Sequence, residues 1–258
     1  MLTIANRGPH VQLVLLDRPE AANALNTQMG RDLVGFFEEA ALSLGERRCI
    51  VLAGRGEKVF CAGGDLKERK GMSDAAWAAQ HLVFERMVRA ILGCPVPVIA
   101  AVNGAAFGGG LEIAACCDFI YAADNARFAL TEVTLGIMPG GGGTQNLPRA
   151  VGQRRAMELI LTGRPFSAAE AHEWGLVNAL FPAGDLLDAA LATADRIASN
   201  APISTRQAKQ AIARGMQMSL ADGLAFEIEA YNRMVPTEDR REGIASFNEK
   251  RRPVFKGR

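Results

Sequence analysis

A continuous apolar run of strand length, Val98–Val102, leads through a glycine-rich loop at residues 103–110 into a helical stretch at residues 111–117. This order of strand, loop and helix is typical of an α/β crossover unit. The same alternation recurs through the first half of the chain. There we predict strands at residues 11–16, 49–53 and 118–123, and helices at residues 28–44 and 74–92. We therefore predict an α/β fold.

The second half of the chain has a different pattern, in which helices follow one another with a single strand at residues 175–181. These helices are predicted at residues 149–161, 168–174, 185–199, 203–216, 220–234 and 239–248. A strand-rich part followed by a helix-rich part predicts an α/β core that carries a helical C-terminal region. We place the core at residues 1–196 and the helical region at residues 197–258.

Composition narrows the classes of protein to consider. The 258 residues are 49% hydrophobic, enough to bury a sizeable core, and the formal net charge of +1 provides no overall field toward nucleic acid or an anionic membrane. The five cysteines form an odd number without CxxC spacing, and the first residues resemble neither a secretory signal nor a transit peptide. No apolar run has the length of a membrane span. We expect a soluble cytoplasmic protein.

The glycines at residues 108–110 leave no Cβ between the backbone and an approaching group, and they lie where a helix begins with unpaired amides. Such a place suits a dinucleotide-binding loop, a P-loop or an oxyanion hole. The dinucleotide fingerprint needs a third glycine where this chain has Ile113, and no loop ends in the Gly-Lys-Ser/Thr of a P-loop. An oxyanion hole remains, beside the simpler interpretation that the glycines permit tight packing.

Two glutamates in apolar surroundings are candidate catalytic acids. Glu112 lies in the first turn of the helix after the glycines, among apolar neighbours, so burial is favoured over a surface position. Glu132 lies in an uncharged stretch, and an ordinary loop position is its alternative; the glycines at residues 140–143 are expected to shape the turn and helix entry behind it. Addition of water to an activated alkene needs a base and an acid, and two carboxylates in different environments can divide these roles.

Hydration also passes through an enolate-like state, so the carbonyl oxygen needs hydrogen-bond donors. One donor is expected from Gly109 and the other from a separate loop, for which residues 60–65 (FCAGGD) are best placed. A simple connecting turn capped by Asp65 is the alternative. The three histidines show no metal-ligand spacing and no G-x-S-x-G elbow occurs, so we expect neither a metal site nor a serine hydrolase.

Four ordered motifs carry a family resemblance: FCAGGDLKE at residues 60–68, PVIAAVNG at 97–104, FGGGLE at 107–112 and PGGGGTQ at 139–145. Together they resemble the signatures of the crotonase, or enoyl-CoA hydratase/isomerase, superfamily, and the similarity runs from about residue 11 to residue 256. The resemblance implies a crotonase (ClpP/crotonase-like) fold with a core of repeated ββα units. It also implies that the C-terminal helices assemble a homotrimer, commonly paired into a homohexamer.

The resemblance further implies roles for single residues. The amides of Ala62 and Gly109 would form the oxyanion hole, Glu112 would help to activate the water, and Glu132 would supply the proton to the α carbon. Coenzyme A would contact Gly109 and a loop made of Cys61, Ala62, Gly63, Gly64, Asp65 and Leu66. Because coenzyme A is part of the acyl-CoA substrate, no separate cofactor is expected. The loop departs from the family at Gly64, where alanine is more frequent.

Retention of both acids favours a hydratase that adds water in syn fashion to a trans-2-enoyl-CoA, giving a 3-hydroxyacyl-CoA in fatty-acid or branched-chain amino-acid catabolism. An isomerase or an acyl-CoA hydrolase on the same fold is the alternative enzyme. The chain is also similar to the methylglutaconyl-CoA hydratase branch, whose members include AU-rich RNA binders, so an RNA-binding or scaffold protein is the alternative of another class.

Three basic residues, Lys67, Arg69 and Lys70, follow the loop that would bind coenzyme A. They could contact phosphates of the coenzyme or RNA, or form a charged helix start that faces water. Glu68 dilutes the positive charge, and the neighbouring sequence lacks aromatic residues for base stacking. RNA is therefore not an expected partner.

Overall fold

Ten β-strands and eleven α-helices alternate along the chain, and the computed structural model describes all residues from Met1 to Arg258. The strands are β1 Leu2–Arg7, β2 Val11–Leu16, β3 Cys49–Gly54, β4 Val59–Cys61, β5 Val98–Val102, β6 Ala105–Phe107, β7 Phe119–Ala123, β8 Arg127–Ala129, β9 Phe166–Ser167 and β10 Ala179–Phe181. The helices are α1 Thr27–Leu42, α2 Leu66–Arg69, α3 Asp74–Leu92, α4 Gly109–Ala115, α5 Gly143–Val151, α6 Gln153–Thr162, α7 Ala168–Glu173, α8 Leu186–Ala198, α9 Pro202–Gly215, α10 Leu220–Asn232 and α11 Glu238–Asn248. Two short 3-10 helices cover Pro19–Ala21 and Glu132–Leu135.

The strands form two sheets that are built from a repeated unit. The larger sheet has the order β1-β2-β3-β5-β7-β10, and the smaller sheet has the order β4-β6-β8-β9. Three successive pairs, β3 and β4, β5 and β6, and β7 and β8, each contribute one strand to either sheet, and a helical segment follows each pair. From β2 to β10 the larger sheet is parallel, as crossover connections require. The predicted α/β fold with repeated ββα units is confirmed.

The central strands are apolar because the larger sheet is covered. Every residue of β3 and β5 is buried, as expected for parallel strands that lie inside a domain. Helix α8 packs against β2, β3, β5 and β7, and α1 packs against α3. The side chain of Ser73 accepts a hydrogen bond from the N–H of Ala76 and so caps α3, as Asn26 caps α1 through Met29. These caps fix where α1 and α3 begin.

Two parts of the sequence prediction differ from the structure. The single helix predicted at residues 149–161 is two helices, α5 and α6, because Gly152 between them has a φ of +82° that helical backbone does not allow. The N-terminal strand β1 and the smaller sheet were not predicted. Strands β4, β6 and β8 have three residues each, too few for an alternating pattern to be visible.

The C-terminal helices α9, α10 and α11 bury few of their residues. One ion pair ties them to the core: Lys209 Nζ on α9 donates to Asp118 Oδ2 at 2.7 Å and to the carbonyl of Val96 at 2.9 Å. The predicted boundary between residues 196 and 197 falls inside the last turn of α8, which packs on the larger sheet. None of the helices combines the length and hydropathy needed to cross a bilayer.

Candidate active site

A cavity of about 520 Å³ is lined by the loop after β4, by α2, α3 and the start of α4, and by residues 131–141. All of the predicted site residues except Cys61 and Asp65 line it. The lining residues are Leu25, Ala62, Gly63, Gly64, Leu66, Arg69, Trp77, His81, Phe84, Met87, Val88, Gly108, Gly109, Glu112, Ile113, Thr131, Glu132, Leu135, Ile137, Met138, Pro139, Gly140 and Gly141. The structure therefore brings both candidate acids and both predicted glycine loops to one place.

Glu112 is held rigidly at the floor of the cavity. Its side chain lies in the first turn of α4 and the residue is only 5% exposed, which confirms the burial predicted for it. Its Oε1 accepts hydrogen bonds from the N–H groups of Gly141 at 2.7 Å and Gly143 at 2.9 Å. Burial raises the pKa of Glu112, while these two amides and the positive charge of Arg69 oppose that rise. The second oxygen, Oε2, has no hydrogen-bond partner in the protein and is available to a water molecule.

The glycines at residues 140–143 allow the backbone to approach this carboxylate. A Cβ on Gly141 would lie 2.7 Å from Glu112 Oε2, and a Cβ on Gly143 would lie 3.0 Å from Oε1. Gly142 has a φ of +98° and ends the turn at the start of α5, so the expected helix entry is present. These glycines were predicted to lie behind Glu132. The structure shows that the carboxylate they hold is that of Glu112.

Glu132, the first residue of the second 3-10 helix, presents a different carboxyl group to the same cavity. Its Oε2 is buried and has no hydrogen-bond partner. Burial, with a smaller contribution from the negative charge of Glu112, raises the pKa of Glu132 to about 7. Gly108, with a φ of +49°, makes room for it, because a Cβ there would lie 3.0 Å from Glu132 Oε1. One glutamate is thus held by two amides, and the other has a buried oxygen without a partner and a raised pKa.

The amides near these acids differ from those expected. The N–H of Ala62 donates to the carbonyl of Ala22 at 3.0 Å, so it is engaged within the fold and cannot serve a substrate oxygen. Two residues further on, the N–H of Gly64 has no partner, since the bridge to Leu25 uses the neighbouring Gly63 carbonyl and the Asp65 amide. The N–H of Gly109, at the first position of α4, also has no partner. Gly64 and Gly109 therefore each bring a free amide to the cavity.

The remaining residues of the predicted coenzyme loop divide into two groups. Gly63 and Leu66 line the cavity. Cys61 is fully buried behind it, where burial raises the pKa of its thiol to about 12. The Asp65 carboxylate is used locally: it accepts from the N–H groups at the start of α2 and forms an ion pair with Arg18 at 3.0 Å. Cys61 and Asp65 shape the loop without facing the cavity.

One wall of the cavity was missed in the sequence analysis. Trp77, His81, Phe84 and Val88 on α3 all line it, and their spacing of four, three and four residues is that of one helical face. This periodicity was available in the sequence and could have indicated the wall.

No group of three or more His, Cys, Asp or Glu side chains comes together in a way that could hold a metal ion.

Comparison with known proteins places the chain in a family. A family model described as enoyl-CoA hydratase/isomerase matches residues 7–258. The chain is 40% identical to the 2,3-dehydroadipyl-CoA hydratase of Escherichia coli, with 99% of this chain and 98% of the relative covered. It is 43% identical to the mouse protein named enoyl-CoA hydratase domain-containing protein 2, mitochondrial, over all of this chain and 87% of that protein.

A solved structure supports the same assignment. The crystal structure of an enoyl-CoA hydratase from Bacillus anthracis superposes with a TM-score of 0.97 at 44% sequence identity, covering 100% of this chain and 99% of the other. This agreement confirms the crotonase fold predicted from the four sequence motifs. The chain belongs to the enoyl-CoA hydratase/isomerase family.

Proposed function

We propose that this protein is an enoyl-CoA hydratase that adds water in syn fashion to a trans-2-enoyl-CoA and releases a 3-hydroxyacyl-CoA. The observation that carries the proposal is the pair of unlike glutamates on one cavity. Glu112 is fixed by two amides, whereas Glu132 has one buried oxygen without a partner and a pKa raised to about 7. Hydration of a conjugated alkene needs a base and an acid, and two carboxyl groups in different protonation states, which these environments favour, can supply both.

The thioester oxygen would accept hydrogen bonds from the amides of Gly64 and Gly109. Both N–H groups are unpaired, and a Cβ placed on Gly109 would lie 3.7 Å from the nitrogen of Gly64, so the two amides are close neighbours. Donors of this kind stabilise the negative charge that develops on the oxygen as the alkene is attacked. We therefore replace Ala62 by Gly64 as the partner of Gly109 in the proposed oxyanion hole.

Glu112 and Glu132 would divide the transfer of water. The oxygen of a water that donates to the Glu112 carboxylate forms a bond to C3, and protonated Glu132 gives its proton to C2. The second proton of the attacking water passes to the glutamate pair and restores the starting state, so that one H₂O is added for each turnover. Delivery of both atoms from the side on which the glutamates lie accounts for syn addition.

The names of the relatives support a hydratase over the alternatives, since the Escherichia coli and Bacillus anthracis proteins are both named as hydratases. An isomerase or an acyl-CoA hydrolase remains the enzyme alternative, and an RNA-binding or scaffold protein the alternative of another class. The coenzyme would lie along Gly63, Gly64, Leu66 and Gly109, as part of the substrate and not as a separate cofactor. Metabolism of fatty acids by β-oxidation, or of branched-chain amino acids, is the proposed context.

Product analysis with crotonoyl-CoA tests this proposal. A hydratase removes the conjugated-enoyl absorbance and forms a product heavier by one water. A hydrolase instead releases a free thiol, and an isomerase leaves the mass unchanged. Salt-dependent RNA binding without any turnover would support the scaffold alternative. Failure to consume crotonoyl-CoA at any enzyme concentration, together with failure on longer and branched enoyl-CoAs, would contradict the assignment.

Assembly into a homotrimer or homohexamer is also part of the proposal. Large apolar side chains stay exposed on the C-terminal helices of a single chain, which is unusual for a surface that faces only water. They are Ile212, Met216, Leu220, Leu224, Ile228, Tyr231, Ile244 and Phe247, here called the C-terminal apolar face.

A cytoplasmic location is proposed as well, supported by five cysteines that are all buried as free thiols.

A further inference from the structure

The guanidinium of Arg69 lies in the cavity, although no sequence pattern distinguishes this residue from its basic neighbours Lys67 and Lys70. Lys67 and Lys70 are exposed, whereas Arg69 is partly buried and lines the cavity beside the two glutamates. It lies 4.3 Å from the ring centroid of Trp77 and 5.6 Å from that of Phe84. We had expected no aromatic side chains near these basic residues. That expectation is wrong, because Trp77 and Phe84 on α3 lie against Arg69 of α2. The aromatic rings hold the guanidinium in place.

Arg69 is anchored through one nitrogen only. Its Nε donates to Gln80 Oε1 at 2.9 Å, and Gln80 is fixed in turn by hydrogen bonds to Thr27 and Glu68. Neither Nη1 nor Nη2 has a hydrogen-bond partner, and no carboxylate of the protein forms an ion pair with Arg69. A guanidinium held by Nε with both terminal nitrogens free presents the planar fork that binds a carboxylate with two hydrogen bonds.

Gly64 provides the space for this guanidinium. A Cβ on Gly64 would lie 3.2 Å from both Cζ and Nη1 of Arg69, closer than ordinary van der Waals contact. The backbone of Gly64 does not have a positive φ, so the glycine is not required by the turn. The inward position of Arg69 therefore depends on the lack of a side chain at residue 64. The fork lies immediately beside a proposed donor to the thioester oxygen, at the acyl end of the site.

From this geometry we infer that the site selects an enoyl-CoA whose short acyl chain carries a second, free carboxylate, and that Arg69 is the residue that recognises it. This inference rests on the proposed hydratase function. The position among Trp77, Phe84 and the glutamates favours an acyl carboxylate over a phosphate of the coenzyme, because Arg69 lines the same cavity as Glu112 and Glu132, beside which the double bond would be hydrated. A neutral chain of the same length would leave both terminal nitrogens unpaired.

Hydration of matched substrates tests this inference. The substrates are pent-2-enedioyl-CoA and hex-2-enedioyl-CoA, each compared with the neutral enoyl-CoA of the same length. For the wild-type protein we expect kcat/KM to favour the acid of at least one pair by about tenfold to a hundredfold, the range of a charged hydrogen-bonded contact. Arg69→Met keeps an apolar stem against Trp77 and should abolish this preference, so that the ratio of kcat/KM for acid and neutral substrate, and not the absolute rate, is the quantity compared.

Three further variants sharpen the test. Arg69→Lys keeps the charge but not the fork and should retain only part of the preference. Gly64→Ala should also lower the acid-to-neutral ratio, because its methyl group displaces the flexible end of Arg69. Arg89→Met, at an exposed position on α3, is the matched control and should leave the ratio unchanged. The ratio, unlike the absolute rate, does not respond to a purely structural loss.

Two results would overturn the inference: a wild-type protein that prefers the neutral member of both pairs, or an Arg69→Met variant that loses equally on acid and neutral substrates. Equal loss would assign Arg69 to the coenzyme phosphates or to the glutamates. Calorimetry with the unreactive saturated pair, adipyl-CoA and hexanoyl-CoA, separates this inference from the proposed function. If no enoyl-CoA is hydrated, tighter binding of adipyl-CoA that Arg69→Met removes still supports the carboxylate site, and equal binding of the two rejects it.

Discussion

The N–H of Gly141 donates a 2.7 Å hydrogen bond to the carboxylate of Glu112, a residue 29 positions earlier in the chain. This bond joins the glycine-rich turn before α5 to the first turn of α4, and so fixes the orientation of the carboxylate that would activate water. Since Gly143 donates to the same oxygen, the two amides leave the other oxygen free. The glycines at residues 140–143 thus help to hold the Glu112 carboxylate in place.

Substitution of Gly141 by alanine should disable the site without unfolding the protein. The new Cβ would lie 2.7 Å from Glu112 Oε2, so the carboxylate must move away from its amide partners. We expect kcat for hydration to fall at least about tenfold, because a small misplacement of a catalytic group has a large effect on rate. Gly35→Ala, at an exposed position of α1 with no atom near its Cβ, is the control. Equal activity of the two variants would contradict the role given to Gly141.

The stability of the protein should report the burial of Glu132. In the unfolded chain this group loses its proton near its ordinary pKa of 4.5, whereas in the folded protein it keeps the proton up to about 7. The folded state therefore binds more protons between these values, and the free energy of unfolding falls as the pH rises through this window. The Glu132→Gln variant cannot ionise at this residue, so its free energy of unfolding does not fall in this way. Its melting temperature relative to wild type should therefore increase from about pH 5 to about pH 7 and then level off.

The matched control for this titration is Glu57→Gln, at an exposed position. Its melting temperature relative to wild type should not follow the same curve. A Glu132→Gln variant whose difference from wild type is constant across the range would show that Glu132 is solvated in the folded protein.

The rate of hydration should depend on pH through the same group. If protonated Glu132 gives the proton to C2, kcat/KM should decline as the pH rises above about 7, approaching tenfold per pH unit. Ionised Glu112 is needed as well, so a second decline is expected at low pH, above the ordinary range of a glutamate because burial raises its pKa. A rate that stays constant from about pH 6 to about pH 9 would exclude Glu132 as the proton donor.

The C-terminal apolar face should control assembly. Light scattering is expected to give a mass of three or six chains for the wild-type protein. The double variant Ile228→Asp/Phe247→Asp places two charges on side chains that are 56% and 83% exposed in one chain and should shift the protein toward monomers. Leu42→Asp, 89% exposed at the end of α1, is the control for an added surface charge. A monomeric wild-type protein would contradict the proposed assembly.

Much of the fold could be predicted because its strongest signals are local. The buried strand β5 and the helix α3 were placed at their observed bounds, since a continuous apolar run and a serine cap with following prolines mark them clearly. The strands of the smaller sheet could not be predicted in this way. Their three residues acquire a strand conformation only through pairing with neighbours distant in sequence.

The sequence predicted which residues form the candidate site more accurately than it predicted the contacts between them. Glu112, Glu132 and Gly109 meet at one cavity as expected. The N–H of Ala62, predicted as the second donor, is paired within the fold, because the direction of each N–H depends on backbone pairing with Ala22 and Leu25 that no local pattern records. For the same reason, neither the support of Glu112 by the second glycine run nor the inward turn of Arg69 could be foreseen.

The most direct test of the central claim is the hydration rate of crotonoyl-CoA by wild type, Glu112→Gln and Glu132→Gln, measured at neutral pH as the loss of conjugated-enoyl absorbance. Each substitution preserves the shape of the side chain and removes its ability to exchange a proton. We predict rapid hydration by wild type and a fall in kcat of about a hundredfold to ten-thousandfold for either variant, with folded structure retained. Near-normal hydration by either folded variant would contradict the assignment of the two glutamates.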